Sequence, residues 1–254
     1  MSDLFTQVAK NALYVISFVL IIAGLFVFAV IAEKVIQKKK GLTDKTSAAR
    51  KAASVGLLSA VAAILMLIEI PMPFAPSFYK LDMSELPILI GAYAFGPAAG
   101  ILIEFIKILL KLFIKGTSTA FVGELANFSV GASFILPASI IYYAKKTRNT
   151  ATLSCLVGTV CITIFGTVFN AVYLLPAFAK LYGIPLEVIF GMGQEVNPFA
   201  GDNIYSFVFA CVAPLNLIKG SLNSLLTLLV YKKISPVLKG AGIEANLVKE
   251  TVKY

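Results

Sequence analysis

The sequence predicts an all-α polytopic membrane protein, in which one extra N-terminal transmembrane helix precedes a six-helix body. Of the 254 residues, 59% are hydrophobic and only 14% are charged, and the mean hydropathy is +0.89. A chain of this composition carries more apolar surface than one soluble domain can bury. Several of its apolar runs approach or exceed the roughly 20 residues that cross a bilayer as a helix.

The basic residues are grouped beside the apolar runs. Of the 22 Lys and Arg residues, 15 fall within residues 33–51, 145–148 and 232–253. Clusters of this kind are typical of cytoplasmic loops. A path with the N-terminus outside and the C-terminus in the cytoplasm puts all three clusters on one side of the membrane. Nucleic acid is not an expected partner, because the clusters lack the interleaved aromatic and glycine residues of a nucleic-acid surface.

The N-terminal region, residues 1–51, is predicted to contain a transmembrane anchor at 11–32 and then a basic cytoplasmic linker. A secretory signal would have basic residues before a core of about 7–15 apolar residues. Here the core is longer and the basic residues follow it, so a retained anchor is favoured over cleavage after FAVIA. The body is predicted at 52–233, and a cytoplasmic tail at 234–254.

Six crossings are predicted within the body. The first covers 52–70, and the second is the short segment LPILIGAYAF, which ends at Gly96-Pro97. The others are 98–115, the run that ends in IIYYAKKTRN, 152–175 and 204–231. The proline-rich segment after Ile70 is expected to form an outer loop or lid. Residues 176–203 are expected to form a long outer loop, in which GMGQE completes no dinucleotide-binding pattern.

The residue inventory excludes several classes of enzyme. The chain has no histidine, which removes histidine-based triads, HExxH zinc sites and histidine proton relays. It has neither a GxxxxGK[ST] phosphate loop nor paired aspartates for Mg²⁺. Its three cysteines lie in apolar runs without a CxxC pair and are interpreted as core residues. We therefore expect no catalysis, no metal and no cofactor, and any uphill transport would need a partner or an ion gradient.

Lys219 is the most unusual residue of the last crossing. It lies near the middle, where a lysine costs about 2.5–3.5 kcal/mol on insertion scales. Asn216, Lys219 and Asn223 are three and four residues apart and therefore share one helical face. Gly220 would let a bulky group approach this face. The pattern favours a ligand site, and the alternative is a structural ion pair with Glu104 or Glu124 as the counter-ion.

A second polar stripe lies on the 98–115 crossing. It consists of Glu104, Lys107, Lys111 and Lys115, at spacings of three, four and four residues. Glu104 and Lys107 are expected to form an internal ion pair, and Lys115 is expected to reach the outer headgroups. Helix packing is the favoured role of this stripe, and contact with another subunit is the alternative.

Two further segments carry polar groups near the outer surface. The stretch KGTSTAFVGELANF, residues 115–128, is predicted to begin as non-helical backbone of the kind that is tolerated where it is buried in protein or lines a wet cavity. Glu124 and Asn127 are its candidate binding residues. Asn170, within NAVYLLP, is a third candidate.

Small residues repeat every four positions on the 52–70 crossing, at Ala52, Gly56 and Ala60. Stripes of this kind allow close approach of helices in lipid, where van der Waals contacts drive association. The stripe fits a contact with a partner subunit or internal helix packing equally well.

These stretches resemble a known family. Residues 52–233 are similar to the substrate-binding S components of energy-coupling factor (ECF) vitamin transporters, of the riboflavin-specific type. The likeness is carried by FYKLDMSELPILIGAYAFGPAAG, KGTSTAFVGELANF, NAVYLLP and PLNLIKG. The resemblance implies a six-helix body that binds riboflavin as a transported substrate near its outer face. It also implies partners in the lipid bilayer and cytoplasm: a transmembrane coupling subunit and two ATPase subunits.

The resemblance also assigns roles to residues of this sequence. Asn170, Asn216 and Lys219 would contact the polar edge of the isoalloxazine ring. The lid would include Phe78, Tyr79, Lys80 and Leu81, while Ala52, Gly56 and Ala60 would contact the coupling subunit. Such a flat ring needs apolar walls and a few convergent donors, which amide and ammonium groups supply.

Two features depart from the family pattern, and several alternatives stay open. The N-terminal anchor and the long 176–203 segment exceed the usual length. They leave room for an altered transport role or a flavin nucleotide substrate (FMN or FAD), including export. Another vitamin, an intramembrane transferase and a purely structural membrane subunit are the remaining alternatives.

Overall fold

A computed structural model describes residues 12–41 and 46–239. Its ten α-helices in the described part of the chain are joined by a short hairpin, two π-helical turns and one 3-10 turn. The helices are α1 (Ala12–Lys40), α2 (Ala48–Leu67), α3 (Glu85–Phe95), α4 (Pro97–Lys115), α5 (Val122–Ala144), α6 (Arg148–Phe169), α7 (Leu175–Tyr182), α8 (Leu186–Val196), α9 (Ile204–Phe207) and α10 (Ala213–Lys239). The hairpin is β1 (Ile70–Pro71) with β2 (Lys80–Leu81), the π-turns are Asn170–Leu174 and Val208–Val212, and the 3-10 turn is Pro198–Ala200.

Five helical segments of the described residues are long and apolar enough to cross a membrane. They are Phe18–Lys40, Ala48–Leu67, Val122–Ala144, Arg148–Tyr182 and Ile204–Leu238. Glu85–Phe95 is a shorter apolar helix, and α4 is a 19-residue helix with four charged residues along it. These seven segments correspond to the seven predicted crossings, so the all-α membrane fold is confirmed.

The helix ends differ from the predicted boundaries in two places. Helix α1 continues past residue 32 to Lys40, so the first part of the expected linker is helical. Helix α10 continues past residue 233 to Lys239, and the rest of the expected tail lies outside the described residues. In α1 the last turn contains Lys38, Lys39 and Lys40, where their charge interacts favourably with the helix dipole.

A stack of tyrosines fills the core at the end of the bundle where the basic residues lie. Tyr93 of α3 stacks on Tyr142 of α5, with ring centroids 4.3 Å apart, and Tyr231 of α10 meets both rings edge-on. The Tyr231 hydroxyl donates to the Tyr93 carbonyl over 3.2 Å. Three helices are thereby fixed to one another at this end.

The extra helix α1 is packed against α4 and α5. Phe18 meets Phe128 of α5 edge-on at 5.8 Å. Near the basic end, the Ala98 amide in the first turn of α4 donates to Glu33 over 3.2 Å, and Gln37 donates to the Tyr143 hydroxyl over 3.0 Å. A carboxylate at a helix N-terminus stabilises it by about 0.3–1 kcal/mol. Helix α1 is therefore an integral part of the described fold.

The α3–α4 connection is a tight turn at Gly96. Its φ of 104° lies in a region that residues with a side chain rarely adopt. A methyl group on Gly96 would also lie 2.5 Å from the Glu33 carboxylate. The predicted turn at Gly96-Pro97 is confirmed, with Pro97 in the first turn of α4, where proline is well tolerated.

Residues 176–203 do not form the predicted loop, and this expectation was wrong. The segment contains α7, α8 and the 3-10 turn. The residues that suggested a loop stand at helix ends: Pro176 lies in the first turn of α7, Gly183 terminates it with a φ of 65°, and Pro185 is the N-cap of α8. GMGQE is helical, and Gly193 within it lets the Phe207 ring approach closely.

Candidate functional site

A hairpin covers the end of the bundle opposite the basic residues. Ile70 pairs with Leu81 and Pro71 with Lys80 in an antiparallel register. The loop between the strands reaches over α8, where the Asn197 side chain donates to the Phe74 carbonyl over 3.1 Å. Ala75 is buried among apolar residues of α7, α8 and α9. Helices α7 and α8 thus form the support on which this hairpin rests.

Asn197 also supplies a hydrogen bond that the helix carrying the candidate site lacks at Pro214. Its amide donates over 3.1 Å to the carbonyl of Ala210, four residues before Pro214. Proline has no N–H to offer that carbonyl. The side chain therefore ties the hairpin, α8 and the π-turn at Val208–Val212 together.

Tyr79 connects the hairpin to Asn170. Its hydroxyl donates to Asn170 Oδ1 over 2.9 Å, and Asn170 Nδ2 donates to the Gly166 carbonyl over 2.7 Å. Burial raises the pKa of the Tyr79 phenol, which therefore stays a neutral donor. Asn170 begins a π-turn, and such turns are frequent at functional sites because they redirect side chains.

Asn170 and Asn216 meet at the same glycine. The Asn216 amide, which also donates to the Val212 carbonyl over 3.1 Å, lies so close to Gly166 that a methyl group there would be 2.6 Å from Nδ2. Gly166 therefore lets α6 and α10 bring the two asparagines together. Gly220 has a related role, because Thr159 and Ile162 of α6 occupy the space beside it. The bulky group that approaches Gly220 is thus α6.

Lys219 forms a buried ion pair with two acids near the hairpin. Its ammonium lies 2.9 Å from Asp82 Oδ2 and 3.3 Å from Glu85 Oε1. The ion pair considered as the structural alternative is present, but its counter-ions are Asp82 and Glu85. Glu104 and Glu124 were the wrong candidates, because Glu104 pairs with Lys107 and Glu124 with Lys111. Burial acts to raise the pKa of Asp82, but the charges of Lys219 and Lys107 outweigh it and lower this pKa to about 2.

The contacts among these residues form a closed ring. Tyr79 bonds Asn170, Asn170 and Asn216 both contact Gly166, Lys219 lies one turn beyond Asn216, and Lys219 bonds Asp82 beside Leu81. Leu81 and Tyr79 belong to the same hairpin. The structure thus brings together five of the predicted site residues, namely Tyr79, Leu81, Asn170, Asn216 and Lys219.

The other two hairpin residues lie at its margin. Phe78 is half exposed, with its ring 4.8 Å from that of Tyr79. Lys80 points to Glu69, with 2.8 Å between Nζ and Oε2, and Lys115 approaches the same carboxylate at 3.4 Å. Burial alone would raise the pKa of Glu69, but these two lysines lower it. The Lys80 pair lies within the base of the hairpin, and the Lys115 pair links that base to the end of α4.

The ion pair of Lys219 continues into a larger group, the central ion cluster, formed by Asp82, Glu85, Glu104, Lys107 and Lys219. Lys107 donates to Ser84 over 3.1 Å and to Glu85 over 3.2 Å, and it lies 2.8 Å from Glu104. The expected pair of Glu104 with Lys107 is confirmed.

Glu124 belongs to a separate group, the α4–α5 ion cluster, formed by Lys111, Thr117, Thr119 and Glu124, and Asn127 lies three residues further along α5. Lys111 lies 2.8 Å from Glu124 Oε1, while Thr117 and Thr119 donate to Oε2 over 3.0 and 3.1 Å. Asn127 donates to the Gly123 carbonyl over 3.0 Å. The segment before α5 is non-helical as predicted, with positive φ at Ala120 and Phe121. These contacts give Glu124 and Asn127 a local structural role and do not join them to the ring.

The small-residue stripe of α2 faces outward. Ala52, Gly56 and Ala60 are exposed, whereas Ser59 and Ala63 are buried. A methyl group on Gly56 would meet nothing within 4 Å. In the described structure, internal packing of α2 uses the second small pair and leaves the first stripe open.

An apolar surface groove lies away from the ring. It has a volume of about 270 Å³ and lies between α1 and α4, with Val19, Phe26, Ile101 and Phe105 among its walls. All of its lining residues are apolar, so it has no group that would orient a polar ligand. The ring, with its converging amides and ammonium, is the better candidate site.

Sequence reasoning missed Asp82, Glu85 and Gly166 as parts of the site. Asp82 and Glu85 stand in the stretch LDMSELP, and their charges beside an apolar helix were the available signal. Gly166 carried no signal of its own, because its importance depends on the crossing of α6 and α10.

Comparisons with known proteins agree with a ligand-binding membrane subunit. The family model described as "ECF transporter, substrate-specific component" matches residues 50–231. The chain therefore belongs to the family of substrate-specific components of ECF transporters. Members of this family are transporter components and not enzymes, and the chain is a multi-pass membrane protein of this class.

Individual relatives are similar over most of the chain. The riboflavin transporter RibU of Staphylococcus aureus (strain TCH60) is 34% identical over 187 residues, covering 73% of this chain and 90% of the relative. The riboflavin transporter FmnP of Bacillus subtilis (strain 168) is 31% identical over 188 residues, covering 74% and 93%. A solved S component of a bacterial ECF transporter has a TM-score of 0.59 and 31% identity, covering 76% of this chain and 99% of that structure.

Proposed function

We propose that this protein is the riboflavin-binding subunit of an ECF-type, ATP-driven vitamin transporter. It captures the vitamin at the hairpin-covered end of the bundle. A separate module, formed by a transmembrane coupling subunit and two ATPase subunits, then drives delivery into the cell. The names of the similar transporters support riboflavin as the substrate, and the closed ring of contacts around Asn170, Asn216 and Lys219 is the observation that supports this location.

The chemistry of the ring suits the edge of an isoalloxazine. That edge presents two carbonyls and ring nitrogens, which need both donors and acceptors. The ammonium of Lys219 has three N–H groups, of which Asp82 and Glu85 take two, so a third is available to a ligand carbonyl. Because these acids balance its charge, Lys219 favours a neutral ring over an anion at this position.

Flavin titration of the purified protein in detergent tests this proposal. We expect Lys219→Met and Asn216→Ala to bind riboflavin about 10- to 100-fold more weakly, since each removes a buried polar contact. Lys233→Met, at the basic end of the same helix, is the matched control and should bind normally. Unchanged affinity in both site variants would contradict the assignment.

The same titration with FMN, FAD and other vitamins tests the substrate itself. Riboflavin should displace each of them from the protein. If FMN or FAD binds more tightly than riboflavin, the nucleotide is the substrate, and export becomes a candidate direction of transport. Extraction and identification of the chromophore bound after purification gives an independent result.

We place the N-terminus outside and the C-terminus in the cytoplasm. The three basic clusters support this orientation, because α1 ends in lysines, Lys145 and Lys146 directly follow α5, and Lys232 and Lys233 lie in the last part of α10. Reporter domains fused to the C-terminus should be active only if the reporter works in the cytoplasm. Activity of an exclusively extracellular reporter at that terminus would reverse the orientation.

The exposed stripe Ala52, Gly56 and Ala60 is the proposed contact with the coupling subunit. Gly56→Leu should bind flavin normally and lose ATP-driven uptake in cells that contain the module, because a large side chain blocks close helix approach. Gly24→Leu, on α1, is the matched control, because both glycines have open space beside them. Normal uptake by Gly56→Leu would rule out this contact.

A further inference from the structure

The central ion cluster holds more acids than bases. Three carboxyl groups, those of Asp82, Glu85 and Glu104, face the two ammonium groups of Lys107 and Lys219. If all five groups were ionised, the cluster would carry one net negative charge. Glu85 and Glu104 are only 1% and 0% exposed, so water does not solvate this charge.

The cluster is also short of hydrogen-bond donors. Glu85 Oε2 and both carboxyl oxygens of Glu104 are buried without a hydrogen-bond partner among the described residues. Lys107 forms an ion pair with Glu104 Oε1 at 2.8 Å and also donates to Ser84 and Glu85, so its three N–H groups are divided among three acceptors. The Glu85 and Glu104 carboxyls are neighbours on one ammonium, because Lys107 Nζ lies 3.2 Å from Glu85 Oε1 and 2.8 Å from Glu104 Oε1.

The neighbouring helices supply no further cation. Helix α5 presents Gly131 to Glu104, where a methyl group would be 2.5 Å from Oε1, and its acid Glu124 is held by Lys111. Helix α10 contributes Lys219 and the uncharged Asn223, and Glu33 of α1 lies at the opposite end of α4. The buried residues of α2 are uncharged: Ser54, Val55, Leu58, Ser59, Ala62, Ala63 and Met66.

An uncompensated charge in such surroundings is strongly unfavourable, because neither water nor a counter-ion offsets the loss of its hydration. Two adjacent carboxylates in an apolar interior cannot both be ionised at low cost, and one proton held between them removes the repulsion and supplies the missing donor. The protonated oxygen donates to the other carboxylate. The proton comes from water, and no other group changes its charge.

We propose that Glu85 and Glu104 form a proton-binding site in which the two carboxyl groups share one proton at neutral pH. The central ion cluster is then electrically neutral. The neutral cluster fixes α3, α4 and α10 around Lys219 without a competing negative charge beside the ring. This site is independent of which ligand the protein transports.

Infrared spectroscopy of the full-length protein in lipid vesicles tests the proposal without any flavin. At neutral pH the wild type should show the C=O stretching band of a buried protonated carboxylic acid, and ¹³C-labelled glutamate should shift it. Glu104→Gln should remove this band. Glu124→Gln is the matched control, since Glu124 is equally buried but has a lysine and two hydroxyl donors, so the band should persist.

Several outcomes would overturn the site. They are the absence of an acid band in the wild type, its insensitivity to labelled glutamate, and its survival in both Glu85→Gln and Glu104→Gln. A band that appears only when sodium is withheld would assign the site to a metal cation instead. The wild-type measurement decides the matter even if a variant fails to fold.

Discussion

The two ion clusters on α4 both contain a buried glutamate beside a lysine, but they differ in the hydrogen-bond donors around the carboxyl groups. Lys107 and Lys111 are one turn apart, and each lies against a buried glutamate. In the α4–α5 ion cluster, Glu124 receives one ammonium and two threonine hydroxyls. In the central ion cluster, Asp82 receives the amide and the hydroxyl of Ser84 besides Lys219, whereas Glu85 and Glu104 depend on the two ammonium groups alone. The number of donors per carboxylate, and not burial, separates them.

This difference teaches that the sequence of a helix does not reveal the role of its charges. The spacing of Glu104, Lys107, Lys111 and Lys115 is nearly uniform along α4. Yet Lys107 lies in the interior, Lys111 is close to the surface, and Lys115 pairs with Glu69 at the hairpin. The partners come from three other segments of the chain.

The largest expected effect is a difference in the free energy of unfolding between variants of Lys107 and Lys111. Lys107→Met should lower the free energy of unfolding by about 3–5 kcal/mol, because it leaves several buried acids with a single cation. Lys111→Met should cost about 1–3 kcal/mol, since Glu124 keeps its two hydroxyl donors and Lys111 is near solvent. Thermal unfolding of the two variants in detergent, compared with the wild type, measures this difference. Equal losses would mean that donor supply does not distinguish the clusters.

A smaller effect concerns the glycines that face each cluster. A methyl group at Gly131 would lie 2.5 Å from Glu104 Oε1, and one at Gly123 would lie 2.7 Å from Thr119 Oγ1. Gly131→Ala should cost about 1–3 kcal/mol, since the crowded carboxyl is held on all sides. Gly123→Ala should be nearly neutral, because the loop hydroxyl can shift and alanine favours the helix by about 1 kcal/mol. The same unfolding assay decides the order, and a more damaging Gly123→Ala would reverse the comparison.

The last effect is confined to acid and is absent at neutral pH. Because the pKa of Asp82 in the folded protein is about 2, below its unfolded value of 3.8, its stabilisation is fully present above pH 3.8 and is lost as the pH falls through about 2. That shift corresponds to about 2 kcal/mol. Unfolding temperatures of the wild type should fall over this range, and those of Asp82→Asn should fall less. Parallel curves for both proteins would contradict the assignment of the acid sensitivity to Asp82.

The helical crossings and much of the candidate site were predictable from the sequence. Apolar runs and basic flanks located the crossings because the bilayer dictates their length and orientation. The three-and-four spacing correctly put Asn216, Lys219 and Asn223 on one buried face. These inferences depend only on local periodicity.

The remaining features depend on contacts between distant segments. Asp82 lies 137 residues before Lys219, and no local pattern links them. The helices within 176–203 were missed because proline and glycine mark both loops and helix ends. Neither π-turn has a residue pattern that distinguishes it from α-helix, since packing of the helices around it determines the extra residue.

The number of residues in the π-turn at Val208–Val212 determines the direction in which the site residues of α10 point. A π-turn holds one residue more than an α-turn, so every later side chain is advanced by about 100° around the helix axis. Deleting a single residue there would rotate Asn216, Lys219 and Asn223 together, away from their partners, while keeping every spacing among them. A sequence can therefore retain all of these polar residues and still lose the site through one missing codon.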